Sequence, residues 1–160
     1  MSPPPLPPTT ARQALVDRFW EVIPPVWNEV RSHVRAIAVE EFGITIEQFH
    51  ILRHIRKGID SMSELADAKQ ISRPAISQAV DLLVDKGLII RQQNPTDRRY
   101  VNLSLSPSGD ELINAIFKQN RAWMIDRFAA LSDAEVSTML LGMDGLAKAF
   151  VEFNPAPQRP

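Results

Sequence analysis

A chain of 160 residues with 44% hydrophobic and 23% charged side chains has the size and composition of one folded domain, or of two small lobes that share a core. Because the chain contains no cysteine, a disulfide framework, thiolate metal sites and thiol-based redox sensing are excluded. No apolar run approaches the roughly 18–20 residues needed to cross a bilayer, and the N-terminus lacks the basic and apolar regions of a signal peptide, so we expect a cytoplasmic protein without a membrane partner.

The positive charge lies in the middle third of the chain, although the net charge is only −1. Residues 53–102 carry 9 basic and 6 acidic side chains, a net of +3. Residues 1–52 carry 4 basic and 6 acidic side chains, and residues 103–160 carry 5 and 7, so each end has a net of −2. This separation indicates that the middle and the ends have different functions.

The N-terminal region is predicted to be a tail followed by a long helix. Proline removes hydrogen-bond donors and fixes φ, so the Pro-rich residues 1–10 are predicted to be disordered. From Ala11 to about Glu41, apolar residues recur every three or four positions, which predicts a helix. Pro24 cannot donate to the carbonyl of Trp20, so the Pro24-Pro25 pair is expected to kink or split it.

Three shorter helices are predicted in the middle of the chain. Capping-box sequences at Thr45 and Ser61 begin the first two, and Ser72 begins the third with a proline in its first turn, where the missing N–H does no harm. Gly58 and Gly87 are natural C-terminal stops for the first and third helices.

The hydrophobic period changes after this third helix. The apolar run Leu88–Ile90 begins one predicted strand, and alternating apolar and polar residues over 100–105 predict a second one. The basic turn Asn94–Arg99 between them predicts a hairpin. Ser106-Pro107 then begins a long helix, and a capping box at Ser132–Glu135 begins the last one. Residues 153–160 are Pro-rich again and are predicted to be a loose tail.

The segment 61–87 has the spacing of a helix-turn-helix unit. Its second helix is predicted to bury an apolar side formed by Ile76, Ala79, Val80 and Leu83. The opposite side is polar and is formed by Arg73, Pro74, Ser77, Gln78 and Asp81. Serine, glutamine and arginine bond base edges and phosphates, but a plain solvated face of the same residues is an equal alternative for the helix alone.

The basic hairpin favours nucleic-acid binding over that alternative. Arg91 lies on one arm, and Asp97, Arg98 and Arg99 lie at the bend. Arginine on a thin projecting loop suits a narrow minor groove, where the negative potential is strongest, and Asp97 can hold the Arg99 guanidinium in one direction. A solvated charged turn is common, but a helix and a basic hairpin in this order are much less common by chance.

Together these segments resemble the MarR family of winged-helix regulators, which is named for multiple antibiotic resistance. The resemblance covers residues 12–152, and its motifs are Ser63–Ala66, Ser72–Ser77, Leu82–Ile89, Asn94–Arg99 and Leu103–Gly109. The Asp-Arg-Arg sequence of the hairpin with the following glycine is the most specific part. Members that sense oxidants through cysteine are not suitable comparisons, because this chain has none.

The resemblance implies a homodimer with interleaved terminal helices. It also implies two sets of DNA-binding residues. The recognition-helix set is Ser72, Arg73, Pro74, Ser77 and Gln78, and the hairpin set is Asp97, Arg98 and Arg99. We add Arg91 from its position on the hairpin arm.

We therefore predict a mainly α winged helix-turn-helix with a two-stranded β-wing over residues 43–106, flanked by dimerisation helices over 11–42 and 107–152. The predicted function is a transcriptional regulator, expected to be a repressor, that binds a palindromic operator in double-stranded DNA as a homodimer. A winged-helix protein-interaction module without DNA binding is the alternative. An enzyme would need a catalytic constellation that the sequence does not contain, so neither catalysis nor a cofactor is expected.

A small aromatic effector is a further hypothesis. Apolar pockets with a few polar groups are typical ligand sites, and the predicted lining is Trp20, Trp27, Phe49, His50 and Trp123. Ordinary core packing is the alternative for each aromatic residue. Glu47, His50 and His54 share a helix face, but a structural zinc ion requires four ligands, so no metal site is predicted.

Overall fold

The computed structural model describes residues 8–93 and 101–152, which are mainly helical with one antiparallel pair of strands. In chain order the elements are α1 (Pro8–Glu40), α2 (Ile46–Arg56), α3 (Met62–Lys69), α4 (Arg73–Asp85), β1 (Ile89–Gln93), β2 (Val101–Leu105), α5 (Pro107–Phe128), α6 (Asp133–Ala147) and a π-helical segment (Lys148–Glu152). They form two compact units, which divide within α5 between Asn120 and Arg121. The predicted fold class is confirmed.

Helix α1 begins earlier than predicted, and its proline pair does not split it. It begins at Pro8, so residues 8–10 of the predicted disordered tail are helical. Proline is tolerated there because the first N–H groups of a helix have no intrahelical partner. The helix also continues through Pro24 and Pro25 rather than splitting. Each of the two prolines lacks an N–H group and therefore removes one hydrogen bond from the helix. The helix continues because every other residue added to a formed helix contributes a hydrogen bond of its own.

Helix starts follow the predicted capping chemistry. Thr45, Ser72 and Ser132 each accept a backbone N–H from the residue three positions on, as an N-cap does. Ser61 does the same, but the reciprocal bond from Glu64 that would complete its capping box is absent. Local sequence therefore determines where these helices begin.

The apolar core of the first unit joins the end of α1 to α2, α3, α4, the hairpin and the first half of α5. Its largest fully buried side chains are Phe49, Ile44, Ile51, Leu52, Leu65, Ile76, Leu83, Ile113, Ile116 and Val80. Helix α4 contributes Ile76, Val80 and Leu83, and Ala79 is partly buried against the cluster. The predicted buried side of this helix is confirmed.

Ser106 ties the end of α4 to the start of α5. Its hydroxyl donates to the carbonyl of Gly87 at 2.6 Å and accepts the N–H of Gly109 at 3.0 Å. Its own N–H donates to the carbonyl of Leu88 at 3.1 Å. A Cβ on Gly109 would overlap that same carbonyl oxygen, so glycine permits this close approach.

Strands β1 and β2 pair antiparallel with Ile89 opposite Leu105 and Arg91 opposite Leu103. Because side chains alternate between the faces of a strand, Arg91 shares a face with Ile89 and Leu103, and both of these are buried. The N–H of Leu103 also donates to the carbonyl of Asp60 at 2.7 Å on the other edge of β2. Arg91 therefore lies on the face of the hairpin that is turned toward the core.

The second unit contains the end of α5, α6 and the π-helical segment. No side chain that the structure describes in this unit is buried. Its large exposed apolar residues include Leu140, Leu141, Met143, Phe150 and Val151. Within residues 8–93 and 101–152, no helix is both long and apolar enough to span a bilayer.

Candidate nucleic-acid interface

The N-terminal half of α4 presents a polar surface, which we call the reading face. It consists of Ser72, Arg73, Pro74, Ser77 and Gln78. The hydroxyl of Ser72 caps the helix by accepting the N–H of Ala75 at 3.4 Å. Ser77 is partly buried, and the other four side chains are exposed. All five predicted recognition-helix residues thus lie together at the N-terminal end of the helix, and four of them face solvent.

The turn between α3 and α4 leads directly into the reading face. Gln70 ends α3 in the left-handed conformation, with φ of +53°, and is the only residue other than glycine with a positive φ among the residues the structure describes. The N–H of Ile71 then donates to the carbonyl of Ala66 at 3.2 Å. The helix-turn-helix spacing predicts a turn here but not the left-handed conformation of Gln70, because glycine or asparagine is the usual residue at such a position.

Asp81 also belongs to the predicted polar side of α4, and its carboxylate forms an ion pair with Arg91. Arg91 Nη1 lies 2.5 Å from Asp81 Oδ1 and joins β1 to α4. The side chains are 33% and 52% exposed, respectively. Arg91 was expected to contact DNA, whereas in the structure its guanidinium is engaged by the helix beside it. The remaining hairpin residues, Asp97, Arg98 and Arg99, lie outside the described residues.

A second charged cluster links α2 to α3. Lys69 Nζ lies 2.6 Å from the Glu47 carboxylate and 3.5 Å from His50 Nδ1, with only 13% of the Lys69 side chain exposed. An ammonium group can only donate, so Nδ1 of His50 accepts and its proton is on Nε2. The sequence grouped Glu47 with His50 and His54 and missed Lys69, which is distant in the chain.

This cluster favours the neutral form of the imidazoles over the charged form. The Lys69 hydrogen bond lowers the pKa of Glu47. Burial, and then the Lys69 charge, lower the pKa values of both His50 and His54. Among the residues that the structure describes, no group of three His, Asp or Glu side chains is placed to hold a metal ion.

The five residues predicted to line an effector cavity lie in different environments. Phe49 is buried in the core, with its ring next to that of His50 at 6.3 Å between centroids. Trp20 and Trp27 are 67% and 57% exposed on α1. Trp123 belongs to the second unit, where the Arg127 guanidinium lies 5.2 Å from its ring centroid.

Two residues that the sequence did not indicate surround Phe49. The ring of Phe117 on α5 meets it edge-on at 5.8 Å, and the guanidinium of Arg53 lies 5.8 Å from the Phe49 centroid and 5.4 Å from the Phe117 centroid. Phe117 is itself exposed. The Arg53 guanidinium thus lies near two aromatic rings, one from α2 and one from α5, as in a cation–π interaction.

Comparison with known proteins places this arrangement among transcriptional regulators. A sequence model described as the MarR family matches residues 42–99. The HTH-type transcriptional regulator MhqR of Bacillus subtilis is 29% identical over 137 residues, covering 83% of this chain and 94% of MhqR. The HTH-type transcriptional repressor MdtR of Bacillus subtilis is 30% identical over 100 residues, covering 62% of this chain and 64% of MdtR.

Solved structures share the fold. The transcriptional regulator Tm0710 of Thermotoga maritima superposes with a TM-score of 0.75 at 22% identity, covering 83% of this chain and 94% of Tm0710. A mutant of Staphylococcus aureus MepR bound to an oligodeoxyribonucleotide gives a TM-score of 0.65 at 24% identity, covering 82% of this chain and 96% of MepR. The predicted winged-helix architecture is therefore shared with a protein that has been seen on DNA.

The two histidines of α2 predict acid-sensitive stability. Their folded pKa values lie below the ordinary value of 6.5, so the unfolded chain takes up protons at a higher pH than the folded chain. The free energy of unfolding should therefore fall as the pH decreases through 6.5 toward the folded pKa values. Below 4.5, protonation of Glu47 should add a further decrease.

Urea unfolding at fixed protein concentration over this pH range measures the effect. The double variant His50→Gln/His54→Gln should show a flatter pH dependence than the unchanged chain, and each single variant should fall between them. Equal slopes in all four proteins would contradict the prediction.

Proposed function

Because this chain belongs to the MarR family of DNA-binding transcriptional regulators, we propose that it represses transcription by binding a palindromic operator as a homodimer. The name of MdtR as a repressor supports this direction of regulation. In the proposed complex, α4 enters the major groove with its reading face against the bases, and the hairpin turn containing Arg98 and Arg99 reaches the minor groove.

One observation carries the proposal for α4. Its polar, exposed N-terminal half lies opposite three fully buried side chains, so the core holds the reading face outward. Gln78 and Arg73 are the residue types that bond adenine and guanine edges in a bidentate way. The competing interaction module would need an acidic or apolar face, but the carboxylate of Asp81 is paired with Arg91.

Exposed apolar side chains on the terminal helices support a dimer. Helix α1 exposes Leu15, Val16, Trp20, Val26 and Trp27, and the second unit exposes the apolar residues named above. Apolar surface of this extent usually marks an interface, and a twofold dimer is the commonest arrangement. Two copies of the reading face would then address two half-sites about one helical turn apart, roughly 10 bp.

We propose further that a small aromatic carboxylate or phenol releases the DNA. The Arg53 guanidinium near Phe49 and Phe117 supports this, because guanidinium groups bind carboxylates and aromatic rings stack with aromatic ligands. A tenfold change in DNA affinity requires only about 1.4 kcal/mol of differential ligand binding, whereas a switch from 99:1 to 1:99 requires about 5.5. We therefore expect the smaller effect.

For the dimer, we expect light scattering at micromolar concentration to give twice the mass of one chain. The double variant Trp20→Glu/Trp27→Glu should shift the protein toward the monomer, because it places two charges in the proposed apolar interface. Gln13→Glu adds a charge at an exposed polar position of the same helix and should have a smaller effect. A monomeric unchanged chain would end the twofold model and the palindromic operator with it.

For DNA reading, Arg73→Ala or Gln78→Ala should each cost about 1–3 kcal/mol of binding free energy and relax the base preference at defined positions. Arg99→Ala should instead weaken binding to many sequences and reduce the salt dependence by about one unit for each phosphate that is no longer neutralised. Lys118→Ala, which removes an exposed cation of α5, is the control for the loss of a positive charge elsewhere on the protein. Fluorescence anisotropy across a salt series measures both effects, and unchanged affinity in every variant would favour the interaction module.

For the effector, tryptophan fluorescence with a panel of aromatic carboxylates and phenols, run beside the DNA-binding assay, is the direct test. An active compound should lower DNA affinity about tenfold, and Arg53→Ala should abolish its effect while leaving DNA binding without ligand intact. If compounds bind but do not change DNA affinity, the site has no regulatory role. If none binds, the aromatic residues have only a structural role.

A further inference from the structure

We propose that Asp81 is a positioning residue for DNA binding, and that its ion pair with Arg91 fixes the hairpin and the recognition helix α4 as one body. The inference rests on the proposed reading of DNA by both elements. It assigns a function to the acidic residue on the polar side of α4, where a negative charge is otherwise unfavourable to binding.

The ion pair joins α4 and β1 at a distance from the turn that connects them. Helix α4 and strand β1 are joined through the turn at Gly87, which has φ of +70°. Close to this turn, the N–H of Leu88 donates to the carbonyl of Leu83 at 2.9 Å. Arg91 lies four residues beyond Gly87, about 13 Å along an extended strand. The ion pair thus joins the two elements well away from the turn, where it opposes rotation of the hairpin against α4.

The placement of Arg91 supports a tie rather than a DNA contact. It lies on the core-turned face of the hairpin with Ile89 and Leu103, and its guanidinium is 2.5 Å from the Asp81 carboxylate. A cation that is paired with a carboxylate of the same protein displaces no counterion from DNA. Arg91 should therefore contribute to affinity through geometry and leave the salt dependence unchanged.

Removal of Asp81 distinguishes the two roles by the sign of its effect. If the carboxylate only repels phosphate, its removal should strengthen binding, because a negative charge is removed and Arg91 becomes available to the backbone. If the pair positions the hairpin, the same substitution should weaken binding. Partly exposed ion pairs contribute little to folding, so neither outcome should be accompanied by a large change in thermal stability.

The experiment measures the affinity and salt dependence of the full-length chain for a duplex selected by the unchanged protein from random sequences, and for a mixed-sequence duplex. We expect Asp81→Ala and Arg91→Ala each to weaken binding to the selected duplex about tenfold with unaltered salt dependence. The double variant should be no weaker than either single variant. The exchanged pair, D81R with R91D, should recover most of the affinity.

Asp85→Ala is the matched control, since it removes an exposed acid one turn further along α4 and should leave binding equal or stronger. If Asp81→Ala binds as tightly as the unchanged chain or more tightly, the positioning role is overturned. A lower salt dependence in Arg91→Ala would assign Arg91 to phosphate and overturn it also. If the chain without substitutions binds the selected duplex and the mixed-sequence duplex equally well, the proposed reading of DNA is overturned, and this inference with it.

Discussion

Burial of one side of α4 is the constraint on which the rest of the molecule depends. Ile76, Val80 and Leu83 are fully enclosed by the core, so the helix has one rotation about its own axis. Rotating it would expose these side chains at a cost of roughly 1.5–3 kcal/mol each. The direction of the polar reading face is therefore set by apolar packing behind it, while its chemistry is free to vary.

Most of the secondary structure could be predicted because it depends on chemistry within a few residues. Capping serines and threonines satisfy N–H groups three positions away, and Gly58 and Gly87 occupy positive-φ positions that disfavour other residues. Gln70 occupies such a position without being glycine, and no local pattern identifies it. The proline pair of α1 does not split the helix, since the turns on both sides keep it continuous.

The site was predictable only where a single element determines it. The helical period shows which side of α4 is buried, but it does not show what lies beside the helix. Asp81 and Arg91 are in different elements, and their pairing requires β1 to pack on α4. The Lys69 contacts with Glu47 and His50 likewise require two helices to meet. An excess of aromatic residues is visible in a sequence, but its division between buried Phe49 and exposed Trp20 is not.

The hydrogen bonds of Ser106 have a consequence for how this protein can evolve. They close the base of the hairpin by joining the Gly87 carbonyl to the first turn of α5. Since the two ends of the hairpin are held together there, the segment between β1 and β2 can gain, lose or exchange residues without changing the path of the helices on either side. Changes in this segment can thus accumulate while the helices around it are inherited intact.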